Sequence, residues 1–317
     1  MNKKLIIFSI LIITLLFGCT LNQTEYKNHL NNYQNKINEN LDNLIDDFNS
    51  NVIDENNFEN IVDQNKIEIL IDSNNNLIFN DKNILIANWN LQIFGQKKAS
   101  DENLMNYYVE KILNYDIVTV QEIRDSSQTA FQMLCDQIKE KNQNYNCLVS
   151  ERSGTTSSKE QYGVIYKDVN LINFLDFTIT DQNNFERPPL IVKFQLNDWT
   201  FYIVTIHTKP EDVNRELANL EKLLSINFDQ NDEIIILGDL NADCSYYKTT
   251  DSNNFTNWYW AITDNMDTTV SDTNCAYDRF IINQNAKDNF IEHGLMNDVN
   301  KDQSDHYLIW SKFNSID

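Results

Sequence analysis

Glycine and proline are scarce, at 6 and 3 in 317 residues. The chain must therefore turn largely on Asn, Asp and Ser, whose short side chains bond back to nearby backbone. Basic charge is scarce too. Lys and Arg number 25 against 47 Asp and Glu, for a formal net charge of -22. That excludes a broad cationic face and nonspecific electrostatic capture of nucleic acid through one. It leaves open an acidic pocket in which cations bridge to a phosphodiester. No internal repeat is present. One continuous apolar run stands apart, Leu5 to Phe17, and it is too short for an ordinary spanning helix.

That run follows Lys3 and Lys4 and ends at Gly18-Cys19. A basic start, an apolar centre and a small residue before the cut predict a secretory signal peptide over 1–18. The ending resembles a bacterial lipobox, which makes Cys19 the lipid anchor; plain secretion is the alternative. The expected location is the extracellular face of the cell membrane, or the medium. The remaining cysteines, Cys135, Cys147, Cys244 and Cys275, suggest two disulfides in an exported chain, with three pairings open.

From about Thr24 to Val52 the apolar positions Tyr26, Leu30, Tyr33, Ile37, Leu41, Leu44, Ile45 and Phe48 step by three and four. This predicts an amphipathic helix, either a stalk or a self-pairing segment. Residues 50–82 read as an Asn- and Asp-rich linker with room for a small hairpin. The predicted organisation is a lipidated helical stalk and linker over 19–82, then a catalytic domain over 83–317. Within the latter, strands are expected at Ile84–Trp89, Ile117–Gln121, Tyr145–Ser150, Tyr162–Tyr166, Leu190–Leu196, Thr200–Ile206, Glu233–Leu237, Arg279–Ile282 and Tyr307–Trp310. Helical patterns lie near Glu102–Leu113, Ser126–Glu140 and Val213–Leu224. Short apolar strands alternating with amphipathic helices predict a layered α/β fold.

The stretch GDLNADC, Gly238 to Cys244, organises the rest. A buried Ile/Leu strand leads into it, and the chain then presents Asp239, Asn241 and Asp243. Clustered oxygens at a buried strand end require a partner such as a hard cation or a phosphate; an Asx-rich turn is the plainer alternative. Other strands end the same way: Asn90 after the first, Gln121, Glu122 and Arg124 after the second, His207 after Thr200–Ile206, and Ser304, Asp305 and His306 before the last. Convergent strand ends are how α/β folds build sites.

Five segments carry a more specific signal: NWNLQIFG (Asn88–Gly95), YDIVTVQEIRDS (Tyr115–Ser126), GDLNADCSY (Gly238–Tyr246), TNCAYDR (Thr273–Arg279) and SDHY (Ser304–Tyr307). Together they resemble the deoxyribonuclease I family of the endonuclease/exonuclease/phosphatase superfamily. The resemblance covers roughly 83–313 and implies a four-layer α/β/β/α sandwich with two central mixed β-sheets. It implies a metal and phosphate cluster of Glu122, Asn90, Asp239, Asn241 and Asp305. His207 and His306 become general acid and base, oriented by Glu160 and Asp278. Histidine suits both tasks near neutral pH. The family further implies Mg2+ and Ca2+ as cofactors, with Mn2+ as a substitute, and DNA as substrate. Cys244 and Cys275 match its structural disulfide, whose loop of about 30 residues contributes roughly 3–4 kcal/mol on a chain-entropy basis. Asp267, Thr269, Ser271 and Thr273 match a structural calcium site; a polar surface strand is the alternative.

Departures from the family are equally specific. Its second cysteine pair is replaced by Asp181-Gln182-Asn183-Asn184. Arg187 matches a phosphate-contacting arginine. Of the DNA-gripping trio only Arg124 is kept, because Gln92 and Ser158 replace an arginine and a tyrosine. Cys135 and Cys147 lie outside the resemblance and pair only by elimination. The expected activity is a metal-dependent endonuclease that leaves 5′-phosphorylated oligonucleotides. The alternatives are a sphingomyelinase-like phosphodiesterase and a non-catalytic binding lipoprotein.

Overall fold

The computed structural model describes residues 69–71, 77–79, 83–155, 159–178, 180–181, 183–250 and 253–314. The expected signal peptide, Cys19, the expected 24–52 helix and Ser158 lie outside them. The chain divides into two units, Met1–Asn80 and Asp81–Asp317. In the first, β1 (Ile69–Ile71) pairs antiparallel with β2 (Leu77–Phe79), so the linker does hold a small hairpin.

The second unit runs β3 (Asn83–Phe94), α1 (Gln96–Ala99), α2 (Glu102–Ile112), β4 (Ile117–Ile123), α3 (Ala130–Lys141), β5 (Asn146–Val149), β6 (Gln161–Tyr166), β7 (Asn170–Asp176), β8 (Leu190–Leu196) and β9 (Trp199–Thr205). It continues through a short 3-10 turn (Pro210–Asp212), α4 (Val213–Asn227), β10 (Ile234–Asp239), β11 (Tyr259–Trp260), β12 (Asp278–Ile282), α5 (Gln284–Lys287), β13 (Phe290–Met296) and β14 (Leu308–Asn314). One sheet has the order β13-β14-β3-β4-β6-β5 and the other β11-β12-β10-β9-β8-β7. Both are mixed. The parallel pairs, β3 with β4 and β9 with β10, are joined through helices, as parallel neighbours require.

Period-two burial explains the layers. Along β9, Trp199, Phe201 and Ile203 face the layer between the sheets, while Val204 packs outward under α4. Along β3, Ile84 and Ile86 face inward, and Ala87 and Trp89 pack outward with Met105 and Tyr108 of α2 and Leu134 of α3. Helices thus cover the outer face of each sheet, giving the α/β/β/α sandwich.

Following the inward positions along each strand locates the site. Ile84 and Ile86 give way to Asn88 and Asn90, Ile117 to Thr119 and Gln121, and Ile235 and Leu237 to Asp239; all these polar residues are buried. The inter-sheet layer therefore changes from apolar to polar at one end, where the strand termini converge.

Several boundaries differ from the sequence reading. β3 continues past Asn90 to Phe94 through an irregularity in its pairing with β4, so Asn90 lies within the strand. The irregularity has a backbone cause: Gln92 and Ile93 have φ of 42° and 56°, a left-handed conformation that sequence does not announce in a non-glycine residue. Helix α3 begins at Ala130 rather than Ser126, because Asp125 accepts from the backbone N–H of Ser127, Thr129 and Ala130 and shapes a turn ahead of it. A short strand, β11, lies at Tyr259–Trp260, where the sequence reading placed no element. Strands β7 and β13 and the short helices α1 and α5 were not anticipated. Two disulfides are present, Cys135–Cys147 and Cys244–Cys275.

Candidate active site

At the polar end of the inter-sheet layer, two histidines face one carboxylate. His207 follows β9 and His306 precedes β14. Their Nε2 atoms lie 3.3 and 3.5 Å from Asp239 Oδ2. Each ring is held from behind through Nδ1: His207 by Glu160 at 3.1 Å and His306 by Asp278 at 2.7 Å. Both supporting carboxylates are fully buried. This geometry places a proton on each Nδ1 and turns each Nε2 toward the same space.

The electrostatics follow. Burial pushes the Asp278 carboxyl up, to about 6, against the opposing pull of His306 and with help from Asp239. Burial disfavours the His306 imidazolium, yet Asp278 and Asp239 outweigh it and hold that group well above the usual imidazole range. The couple therefore keeps a proton on the imidazole side as an ion pair. For His207, burial and the nearby Arg187 press the proton off, while Glu160 and Asp239 draw it back and win. Burial would raise Asp239, but the two imidazoles hold it below the ordinary carboxylate range.

The remaining predicted residues gather around this core. Asn90 donates its amide to Asp239 at 3.0 Å and to Glu122 at 3.4 Å. Glu122 accepts from Ile93 N–H at 2.8 Å and pairs with Arg124 at 3.2 Å. Asn241 donates to the Thr208 carbonyl, and Ser304 bridges the Asn90 carbonyl and the His306 N–H. Glu122 and Asn241 both have positive φ, 60° and 46°; such backbone persists only where surrounding contacts hold it, and it clusters at functional sites. Gly238 has positive φ, and a Cβ there would collide with the Ile206 carbonyl, so β10 approaches β9 closely enough to bring Asp239 beside His207 only with glycine.

A divalent cation suits this donor set. Asp305 Oδ1 is buried without a hydrogen bond and lies 3.7 Å from His306 Nε2. Glu122, Glu160 and His207 each offer a ligand atom within 4.8 Å of the others, as do Asp239, Asp278 and His306. Hard carboxylate oxygens in such number match Mg2+ or Ca2+ chemistry.

Arg187 is mostly committed inward. Its Nε donates to the His207 carbonyl at 2.8 Å, its Nη2 to the Thr208 carbonyl at 2.9 Å, and it pairs with Glu160 at 2.8 Å. Gln92 lies on the strained bend of β3, where its N–H donates to Asn90 Oδ1. Asp267, Thr269, Ser271 and Thr273 cluster together on a segment that pairs with the His306 segment: Thr269 lies opposite His306, and the Val270 N–H donates to the Asp305 carbonyl at 2.7 Å. Asp267 Oδ1 accepts from the Thr269 hydroxyl at 2.9 Å, and the Thr269, Ser271 and Thr273 hydroxyl oxygens follow at 3.1 and 2.9 Å. Together they form a knot of oxygens.

Sequence reading passed over three contributors. Tyr162 OH accepts from the His207 N–H and donates to the Arg187 carbonyl. Asn88 directs its amide toward Asp278 at 3.4 Å, while its own oxygen accepts from Thr119 and Gln121. Glu216 is a buried carboxylate on α4. The available signal was position: Asn88, Thr119 and Gln121 occupy inward strand positions, and Glu216 sits on the apolar face of its helix.

The chain as a whole resembles known proteins. The sequence profile of the Endonuclease/Exonuclease/phosphatase family matches residues 87–306. The chain belongs to that family. Within it, bovine (Bos taurus) deoxyribonuclease-1 is 31% identical over 257 residues, covering 71% of this chain and 90% of the bovine protein. Human (Homo sapiens) deoxyribonuclease-1 is 33% identical over 219 residues, covering 62% and 76% of the two chains. A solved endonuclease/exonuclease/phosphatase family protein from Leptotrichia buccalis superposes with a TM-score of 0.57 at 14% identity, covering 73% of this chain and 99% of that one. A mannosyl-6-phosphatase from Bacteroides thetaiotaomicron superposes at 0.54 with 13% identity over 72% of this chain and 98% of its own. These two likenesses concern the fold alone.

Proposed function

We propose that the chain is a metal-dependent deoxyribonuclease that hydrolyses phosphodiester bonds and leaves a 5′ phosphate. One observation carries the reading most directly: two imidazoles, each tied through Nδ1 to a buried carboxylate, present Nε2 to the same space beside Asp239. Hydrolysis of a phosphodiester needs a proton taken from water and a proton given to the leaving 3′ oxygen, and an imidazole on each side of the phosphate performs both. No Ser or Cys nucleophile is required. Similarity to deoxyribonuclease-1 from several mammals supports DNA as the substrate.

The roles divide by electrostatics. His306, held charged by Asp278 and Asp239, is the general acid that protonates the 3′ oxygen. His207, where burial and Arg187 are outweighed by Glu160 and Asp239 so that its pKa is raised, is the general base that accepts from water in its neutral form. Glu160 and Asp278 fix ring orientation and compensate each imidazolium. Asn241 and Arg187 border the phosphate, and Arg124 and Gln92 approach the flanking strand.

Glu122, Asn90, Asp239, Asn241 and Asp305 would hold Mg2+ or Ca2+, with Mn2+ as a substitute. The bound ion supplies charge neutralisation of the phosphate and of the charge that develops on it. An acidic site in an acidic chain would otherwise repel its substrate. Asp267, Thr269, Ser271 and Thr273 would hold a structural calcium ion.

In the proposed organisation, 1–18 is a signal peptide, 19–82 a stalk and linker, and 83–317 the catalytic domain. Cys19 anchors the chain to the extracellular face of the membrane, or the protein is secreted; 24–52 either lifts the domain or pairs copies. Two disulfides favour an oxidising compartment. No helix among the described residues is long and apolar enough to cross a membrane.

The test is a plasmid-nicking assay with Mg2+, Ca2+ or EDTA, with sphingomyelin and a sugar phosphate as competing substrates. Nicking that EDTA abolishes is expected. Turnover of a competing substrate without nicking would reject the assignment to DNA.

A further inference from the structure

Glu216 is the charged member of the buried face of α4, which otherwise consists of Val213, Leu217, Leu220, Leu223 and Leu224. Burying a carboxylate costs several kcal/mol unless its oxygens are matched. Here both are. One oxygen accepts from the Glu186 N–H at 2.6 Å, the other from the Lys209 N–H at 3.0 Å. Arg215 approaches within 3.9 Å, and the field of Arg187 also reaches the carboxylate. A helix that needed only to pack would carry an apolar residue at this position.

The two donors belong to different loops, and each loop carries part of the site. Glu186 precedes Arg187; Lys209 follows His207 by two residues. Arg187 then closes the circuit through the His207 and Thr208 carbonyls and Glu160. We infer that Glu216 is a positioning residue, clamping the 185–188 and 206–209 loops so that Arg187, Glu160 and His207 keep their mutual geometry. The inference rests on the hydrolytic reading of that half of the site. Glu216 acts on the site through the backbone N–H groups of Glu186 and Lys209. Both of its oxygens are needed as acceptors, a condition glutamine cannot meet.

The experiment compares wild type, Glu216→Gln and His207→Ala as full chains in the nicking assay. kcat and KM are measured per folded molecule, well below each melting temperature. Losing one hydrogen bond to a charged group, worth about 1.5–3 kcal/mol, predicts a kcat about tenfold to a hundredfold lower. His207→Ala should be nearly inactive. Wild-type kcat in folded Glu216→Gln, beside an inactive His207→Ala, would reduce Glu216 to packing and overturn the inference alone. An active His207→Ala would overturn the hydrolytic reading and this inference with it. Amide hydrogen exchange on the wild-type protein decides the matter if Glu216→Gln does not fold. Slow exchange at Glu186 and Lys209 supports the clamp, and exchange at the rate of exposed amides at both positions removes it.

Discussion

Removing the Cys244–Cys275 bond should destabilise the fold more than removing Cys135–Cys147. The separations are 31 and 12 residues. A bond that closes a longer loop removes more freedom from the unfolded chain. On the chain-entropy relation the two contribute about 3.7 and about 2.8 kcal/mol at 25 °C. The consequences also differ by location. Cys244 ends the GDLNADC loop, whose Asn241 donates to the Thr208 carbonyl and whose Asp243 accepts from the Ala276 N–H. Cys135 and Cys147 join α3 to the edge strand β5, away from these contacts. Cys244→Ala/Cys275→Ala should therefore lose both stability and activity, and Cys135→Ala/Cys147→Ala mainly stability. Urea unfolding in EDTA measures the first quantity without stabilisation by bound cations; nicking rates per folded molecule measure the second. Accessibility adds a further expectation. Each bond has one buried sulfur, Cys135 and Cys275, but Cys244 is exposed where Cys147 is half-buried, so mild reductant should open Cys244–Cys275 first. A loss below about 1 kcal/mol for the Cys244–Cys275 variant, or peptide mapping that finds those two thiols free in the exported protein, would refute this reasoning.

Three further outcomes are expected. Cys19→Ala should release the protein into the medium or leave it unprocessed; cell fractionation identical to wild type would contradict an anchor at Cys19. Gln92→Arg combined with Ser158→Tyr should lower KM for duplex DNA by restoring two contacts of the family, and an unchanged footprint and KM would show that this chain holds DNA by other means. His207 and His306 both have raised folded-state pKa values, so in EDTA their stabilisation is complete below about pH 6.5 and is lost as pH rises through the raised values. The melting temperature should fall on that alkaline side, less steeply in His306→Asn, and equal slopes would reject the ion-pair account of that histidine.

Much of the fold was legible because its central strands are buried on both faces. Ile234–Asp239 reads as an apolar run ending in an acid, and the matching strand in the other sheet, Ile117–Ile123, as an apolar strand that turns polar at Gln121 and Glu122. The site was legible for the same reason, since the inward residues of these strands turn polar at one end. β7 was hidden because it lies at a sheet edge with most of its residues exposed, including Ile172, Phe174 and Leu175; burial imposes no alternation there. The extension of β3 beyond Asn90 depends on positive φ at Gln92 and Ile93, which local sequence disfavours and tertiary contact enforces. Glu216 resembles a solvated helix residue until its place on the Val213–Leu217–Leu220 face is recognised. Cys135–Cys147 needed the three-dimensional register of α3 against β5.

The central claim is that His207 and His306 are one acid–base unit. kcat for plasmid hydrolysis by His207→Ala, His306→Ala and the double variant, followed across Mg2+ concentration, tests it most directly. Each single variant should lose about 10²–10⁴-fold or more, and the double variant should lose little beyond either, because neither proton transfer suffices alone. Added Mg2+ should restore neither, though it should partly restore Asp239→Ala, whose defect is misplaced metal or phosphate. A folded His207→Ala enzyme with near wild-type kcat, or losses that multiply in the double variant, would contradict the account.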